Sequence, residues 1–237
     1  MKIVLISLFA IIAMTLTASA QSTRKVSFSE DANLSFGSKV FFVEPLSYMG
    51  YGWHMWDSKY LTKSDFAYCN EFFINIMELG VRPTKALMFT LGVDYDLDQY
   101  RPDNGHYWGA TENSNVWRAS SIASFNKLNY SRLNVHSFSM PLSVEIHAGK
   151  SAFRVGAAGE YNLPAVVKNK GVNTAGDTVK NKITGIVTRD FSYSFFASIS
   201  YGGLGVYARY RPAFQFAEGE GPAIKTFTIG AIMGLGM

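Results

Sequence analysis

The sequence predicts an all-β chain that closes into an antiparallel, up-and-down transmembrane β-barrel of about eight strands. Three observations carry this expectation. Segments of roughly ten residues alternate between apolar and polar positions. The links between them alternate short and long. The charges gather with Ser, Gly and Thr on one face of each segment, while the other face is aromatic or aliphatic. Of 237 residues, 48% are hydrophobic and 15% aromatic but only 17% charged, a low charge density for a domain surrounded by water.

The N-terminus reads as a secretion signal. Lys2 supplies a positive start, Ile3 to Leu16 an apolar run, and Ala18-Ser19-Ala20 a small-x-small cleavage site, so the mature chain is expected to begin at Gln21. This divides the chain into a signal peptide (1–20), an N-terminal periplasmic segment (21–36) and an outer-membrane barrel domain (37–237). Past the signal no run of about 18 apolar residues remains, which excludes transmembrane helices from the mature chain. Cys69 is the single cysteine, so no intramolecular disulfide forms, and it reads as a passive residue at a loop end. A net charge of +4 without a basic block does not call for nucleic acid.

The strands follow in order. Val40 to Trp53 is the first and Glu71 to Arg82 the second, the latter apolar on both faces at Phe72, Phe73, Ile74 and Ile76. In the third, Leu87, Phe89, Leu91, Val93, Tyr95 and Leu97 oppose Thr90, Gly92, Asp94, Asp96 and Asp98. In the fourth, Phe138, Met140, Leu142, Val144 and Ile146 oppose Ser139, Pro141, Ser143 and Glu145. Ala152 to Leu163 is the fifth, with Arg154 and Glu160 on its polar face. The sixth, Phe191 to Tyr201, alternates aromatic and aliphatic residues with serines. Leu204, Val206, Ala208 and Tyr210 then oppose Tyr207, Arg209 and Arg211. Phe227, Ile229, Ala231, Met233 and Leu235 form the outward face of the last.

Short links are expected at Pro83–Lys85, Ala148–Ser151 and Tyr201–Gly203. Long polar ones are expected at His54–Asn70, Pro102–Tyr130, Lys168–Lys182 and Ala217–Pro222. Outer-membrane barrels show this asymmetry, with tight periplasmic turns and longer external loops, and the phase puts both mature termini in the periplasm.

A soluble β-barrel also alternates, but it turns its apolar face inward. Here the face that would have to be dry carries Glu78, Arg82, Asp94, Asp96, Asp98, Glu145, Arg154, Glu160, Arg209 and Arg211. Acids and bases are mixed, as in a narrow lumen where opposite charges pair. Aromatics gather near strand ends (Tyr95, Tyr161, Phe191, Tyr193, Tyr201, Tyr210), where interface girdles would put them. A closed barrel satisfies every backbone group without water, which an open sheet in lipid cannot do.

The run Glu71–Lys85 (EFFINIMELGVRPTK), the segment Leu91–Asp96 (LGVDYD), Gly203–Arg211 (GLGVYARYR) and the loop Glu218–Pro222 (EGEGP) together resemble the outer-membrane β-barrel domain proteins of the Bacteroidetes, the group that includes PorT-like proteins. The resemblance spans nearly the whole mature chain. It implies a porin-like barrel in the outer membrane and supplies no set of catalytic residues.

Asp94, Asp96 and Asp98 sit about 7 Å apart along one strand face. That spacing is too wide for one ion to take all three, and no calcium loop follows, so lumenal pairing with Arg209 and Arg211 is expected. No cofactor, metal site or catalytic residue is assigned. Four histidines, His54 and His106 in external loops and His136 and His147 on one strand, form no metal-ligand spacing. Loop aromatics (Trp53, Trp56, Tyr60, Tyr68, Tyr107, Trp108, Trp117) are expected to grip partners or glycans, to cap the barrel mouth, or to sit in the lipopolysaccharide headgroup layer.

The function expected is non-enzymatic: a small barrel with a structural, adhesion or adaptor role in the envelope. A narrow pore or small-ligand barrel, and a hydrolase of the rim built on Asp98, His106 and loop serines, are the alternatives. The partners expected are outer-membrane lipid and lipopolysaccharide, the barrel-insertion machinery, and a surface ligand or envelope protein that the sequence does not name.

Overall fold

The computed structural model describes residues 40–57, 69–102, 106–111, 114–121, 127–212, 216 and 224–235. Segments 1–20 and 21–36, with Ala18, Ala20 and Gln21, lie outside the described residues. Thirteen strands are described: β1 (Val40–Pro45), β2 (Tyr48–Asp57), β3 (Asn70–Arg82), β4 (Leu87–Tyr100), β5 (His106–Thr111), β6 (Ser114–Ser121), β7 (Lys127–Ala148), β8 (Ser151–Asn162), β9 (Ala165–Val172), β10 (Thr178–Ile186), β11 (Phe191–Tyr201), β12 (Leu204–Arg211) and β13 (Lys225–Gly234). No helix among the described residues is long and apolar enough to cross a membrane.

Eight strand positions close a ring. Going round, β2 pairs with β3, β3 with β4, β4 with β7, β7 with β8, β8 with β11, β11 with β12, β12 with β13, and β13 returns to β2, every pair antiparallel. Closure removes the free edges that lipid could not satisfy. At one end the links are tight. Gly202 and Gly203 take φ values of 56° and 83°, the left-handed pair of a two-residue hairpin turn whose twist matches the strands. Gly149 (φ 62°) opens the turn between β7 and β8.

The wall has two phases. Outward-pointing Leu142 and Phe195 are 62% and 52% exposed, whereas Asp96 and Arg209 are 0% and 5% exposed. A water-soluble barrel would reverse these numbers, so the apolar face meets lipid and the charged face is enclosed. Aromatics stack on the outer face at the end opposite the tight turns: Tyr161 on Phe191 with ring centroids 5.3 Å apart, and Tyr95 on Phe138 at 5.7 Å.

The second strand, apolar on both faces by sequence, contains a bulge. The β3–β4 register shifts between Asn75 and Met77. Before it the odd-numbered Glu71, Phe73 and Asn75 point inward. After it the even-numbered Glu78 and Gly80 share that face. At the same level the first strand breaks: Leu46, with φ 52°, separates β1 from β2, and its amide donates to the Ile76 carbonyl. The expected single strand Val40–Trp53 is therefore two segments that follow β3 in turn.

Three long links differ from expectation. His54 is not in an external loop; β2 runs on through it, and its side chain is buried in the lumen. Most of Lys168–Lys182 is strand: β9 and β10 pair as a hairpin, and β9 also pairs with the first part of β7. Lysines at alternate positions made this segment read as loop, but the Val, Thr and Ile residues that flank them favour strand. Residues 102–130 hold the β5–β6 hairpin and the start of β7.

The β7–β9–β10 extension rises past the last β4–β7 pair, Tyr100 with Leu133. Its inward face joins an apolar cluster of Tyr100, Trp108, Leu133, Val167, Ile186, Phe216 and Ile224, with Cys69. Trp108 donates its indole N–H to the Tyr100 carbonyl at 3.0 Å. Of the readings of the aromatics, Trp108 takes the cap; Trp53 instead lies on the outward face of β2. Tyr60 and Tyr68 lie outside the described residues, as do the side chains of Trp56 and Trp117.

Candidate functional site

The barrel interior is the place where polar groups converge. Strand alternation aims Glu71 from β3, Asp94, Asp96 and Asp98 from β4, Glu160 from β8, and Arg209 and Arg211 from β12 at one volume, all buried. Arg211 Nε contacts both Glu160 carboxylate oxygens at 2.9 and 3.1 Å. Its Nη1 bonds Glu71 and reaches Asp98 Oδ1 at 3.3 Å. Arg209 Nη1 sits 2.6 Å from Asp96 Oδ1 and 3.1 Å from Glu71 Oε1. Neutral donors satisfy further lone pairs: Ser139 bonds Asp96, Ser192 bonds Glu160 at 3.0 Å, and Thr228 bonds Glu71 at 3.1 Å. Charge-assisted bonds of this kind are about twice as strong as neutral ones.

Nearer the tight turns a second group forms. Arg154 bridges Glu145 (2.6 Å) and Glu78 (2.9 Å), and its guanidinium lies over the Tyr48 ring at 4.7 Å. His147 Nε2 approaches Glu145 at 2.8 Å. Arg82, at the end of β3, contacts the Met88 sulfur at 3.6 Å. Asp94 lies between the two groups, accepting from Asn75 at 2.7 Å and from the Tyr48 hydroxyl.

Between the levels the lumen is filled by aromatic rings. Phe73 packs edge-on against Tyr207, ring centroids 5.0 Å apart, and Arg209 covers the Phe73 face at 4.6 Å. Glycine makes the room. A β-carbon on Gly50 would collide with the Phe73 ring, and one on Gly52 or Gly230 with Tyr207. The remaining cavity among Tyr48, Phe73, Asp94, Arg154, Tyr207 and Arg209 is about 20 Å³, which is room for about one water. An eight-stranded barrel is just wide enough for its side chains to fill it.

Sequence reasoning identified the partners on strands with clean alternation, Tyr207 on the face of Arg209 and Arg211 among them, and missed Glu71, His54, Asn75, Tyr48 and Phe73. The bulge hid Glu71: it and Glu78 have opposite parity, so no straight strand holds both in the lumen. That parity conflict was the available signal. Asp98, the carboxylate of the expected rim hydrolase, is buried against Arg211 rather than open at the rim. The His106 side chain lies outside the described residues.

No family model matches the chain, and no curated protein matches its sequence. Among solved structures it is similar to neisserial surface protein A at 10% identity and a TM-score of 0.39, over 84% of this chain and 99% of that one. It is similar to Ail, the attachment invasion locus protein of Yersinia pestis, at 11% identity and a TM-score of 0.34, over 82% of this chain and 97% of that one. The same protein in complex with the heparin analogue sucrose octasulfate matches at 11% identity and a TM-score of 0.34, over 84% and 99%.

Proposed function

We propose that the chain is a non-enzymatic barrel of the bacterial outer membrane that holds a basic β-extension against the phosphate-bearing headgroups of lipopolysaccharide. In this reading a signal peptide exports it and the barrel-insertion machinery places it, with both mature termini in the periplasm. Its role is structural and adhesive. The Bacteroidetes resemblance of its strand motifs belongs to the same reading.

One observation carries the proposal. In the β7–β9–β10 extension, Arg132 faces Lys168, which faces Lys182. One row away, Tyr130 faces Lys170, which faces Lys180. Paired positions share a face, and this one points away from the capped mouth. Residues 127–134 and 165–186 hold six Lys or Arg against one carboxylate, Asp177. Like charges directly opposite destabilise a sheet, so the ladder costs the fold something that an anionic partner would offset. Lysine on an edge strand discourages strand addition, which accounts for Lys180 and Lys182 on β10 but not for Lys168 and Lys170 on β9, which is paired on both sides. Along β7 the ladder begins six residues beyond Phe138, the cross-strand partner of Tyr95 and Tyr161, on the side where external headgroups would lie. Ammonium and guanidinium groups there meet phosphates.

The test is to reconstitute the barrel in phosphatidylcholine vesicles with and without lipopolysaccharide and follow trypsin cleavage at Lys168, Lys170, Lys180 and Lys182. Lipopolysaccharide should protect these sites, and high salt should remove the protection because exposed charges are screened. Equal cleavage with and without lipopolysaccharide would overturn the reading.

A further inference from the structure

Ion pairing leaves the group nearest the barrel mouth unbalanced. Five buried carboxylates, Glu71, Asp94, Asp96, Asp98 and Glu160, surround two buried guanidinium groups, Arg209 and Arg211. Fully ionised, the group carries three negative charges in excess. Buried charge at this density is costly and is relieved by protonation, by pairing or by a bound cation.

A second observation is independent of that count. His54 is fully buried beside the cluster, and neither ring nitrogen makes a hydrogen bond. Its Nδ1 stands 3.8 Å from Asp98 Oδ1, too far for a hydrogen bond and close enough to share an ion. The nearest backbone group, at Gln99, is at most a weak, poorly aligned partner, outside normal hydrogen-bond geometry. Tyr100 covers the imidazole, ring centroids 4.7 Å apart. Burying an imidazole with both nitrogens unused has no structural benefit, because buried polar groups are normally satisfied.

The barrel topology aims the three groups at one point. His54, Glu71 and Asp98 lie on β2, β3 and β4, which are consecutive in the wall. Glu71 and Asp98 are a direct cross-strand pair, and the His54 amide donates to the Cys69 carbonyl, two residues before Glu71. One ring nitrogen and one oxygen from each carboxylate lie within 4.8 Å of one another. Tetrahedral ligands about 2.0–2.2 Å from an ion stand roughly 3.4 Å apart. Completing the set requires the donor atoms to close in by about an ångström, with Glu71 and Asp98 each turning an oxygen from Arg211, which both now touch, toward the ion.

We propose that His54, Glu71 and Asp98 form a binding site for a divalent transition-metal cation of the zinc class. The donor chemistry selects the class: Ca²⁺ and Mg²⁺ take oxygen ligands, whereas an imidazole nitrogen with two carboxylates suits zinc. Two positive charges remove most of the excess, and Arg211 keeps both Glu160 oxygens. Such an ion would tie the first three barrel strands together beneath the apolar cap. The site lies beneath that cap, so refolding in the presence of the ion is the direct way to load it.

The experiment refolds the full-length chain in detergent with Zn²⁺ or with Ca²⁺, dialyses it against a chelator, and measures retained metal by mass spectrometry. Heat-modifiability on a gel reports barrel closure. One Zn²⁺ per closed barrel should remain in the wild type. H54Q and D98N should lose it, with affinity falling by more than the roughly 10- to 100-fold that loss of a supporting contact costs. A closed wild type that retains no Zn²⁺, retains Ca²⁺ instead, or an H54Q that retains as much would overturn the proposal. If H54Q does not close, the wild-type Co²⁺ derivative decides by itself. Paramagnetically shifted imidazole proton signals support the site, and bound Co²⁺ without them overturns it.

Discussion

Arg211 on β12 reaches past β11 to grip both carboxylate oxygens of Glu160 on β8, while its other edge holds Glu71 on β3. One guanidinium thus joins three sectors of the barrel wall. Removing one member of a buried ion pair costs about 3–5 kcal/mol, because the partner charge is left unpaired. R211M should lose that much in urea unfolding from lipid vesicles. Adding E160Q should restore part of it, since one orphaned charge is then gone. An R211M as stable as the wild type would mean that this network does not hold the wall together.

The fit of Phe73 over Gly50 gives a second expectation. Any larger residue at Gly50 meets the ring, and overpacking typically costs roughly 1–3 kcal/mol. G50V should therefore destabilise the barrel. In the G50V/F73A double variant the two effects should sum to less than their separate values, because the ring that the introduced valine would strike is absent. Simple additivity in the cycle would show that the two positions do not touch.

The orientation of the wall is checked from the lipid side. A photoreactive group on an acyl chain should label Phe195 and Leu142 and spare Asp96 and Arg209. L142R should cost about 2–4 kcal/mol if Leu142 lies near the bilayer midplane. Labels on the charged set would reverse the account of inside and outside.

Stability and partner binding should separate at the lysine ladder. Lys170 faces Lys180 and Lys168 faces Lys182, so K180E/K182E converts two repulsive pairs into attractive ones. In detergent free of lipopolysaccharide, amide exchange in β9 and β10 should slow. In vesicles that contain lipopolysaccharide, the same variant should lose the protection of the wild type. A variant that weakens the hairpin in both settings would show that the lysines stabilise it directly.

Much of the fold was legible from local pattern. Asp94, Asp96 and Asp98 sit on a strand of unbroken alternation, so their shared face follows from backbone geometry alone. Arg209 and Arg211 are legible for the same reason. Glu71 was not, because the bulge between Asn75 and Met77 moves the lumen face from odd to even positions, and a bulge leaves little trace in composition. His54 was hidden by its place just past the last clear outward residue of the first strand. Lys168, Lys170, Lys180 and Lys182 looked like a solvated loop because charge was read before the β-branched residues that flank them.

By itself the sequence determined a two-phase wall: roughly ten-residue strands, greasy on one side and charged on the other, joined by links of alternating length. Those are properties of neighbours in the chain, set by the two-residue strand repeat and by turn chemistry. Only the tertiary structure decided which charges meet. Arg211 and Glu71 are 140 residues apart, and the closing of β13 onto β2 brings their strands around one lumen. The crowding of Phe73 onto Gly50 and the burial of His54 beside Glu71 and Asp98 depend on register across several strands. No local pattern encodes that sum.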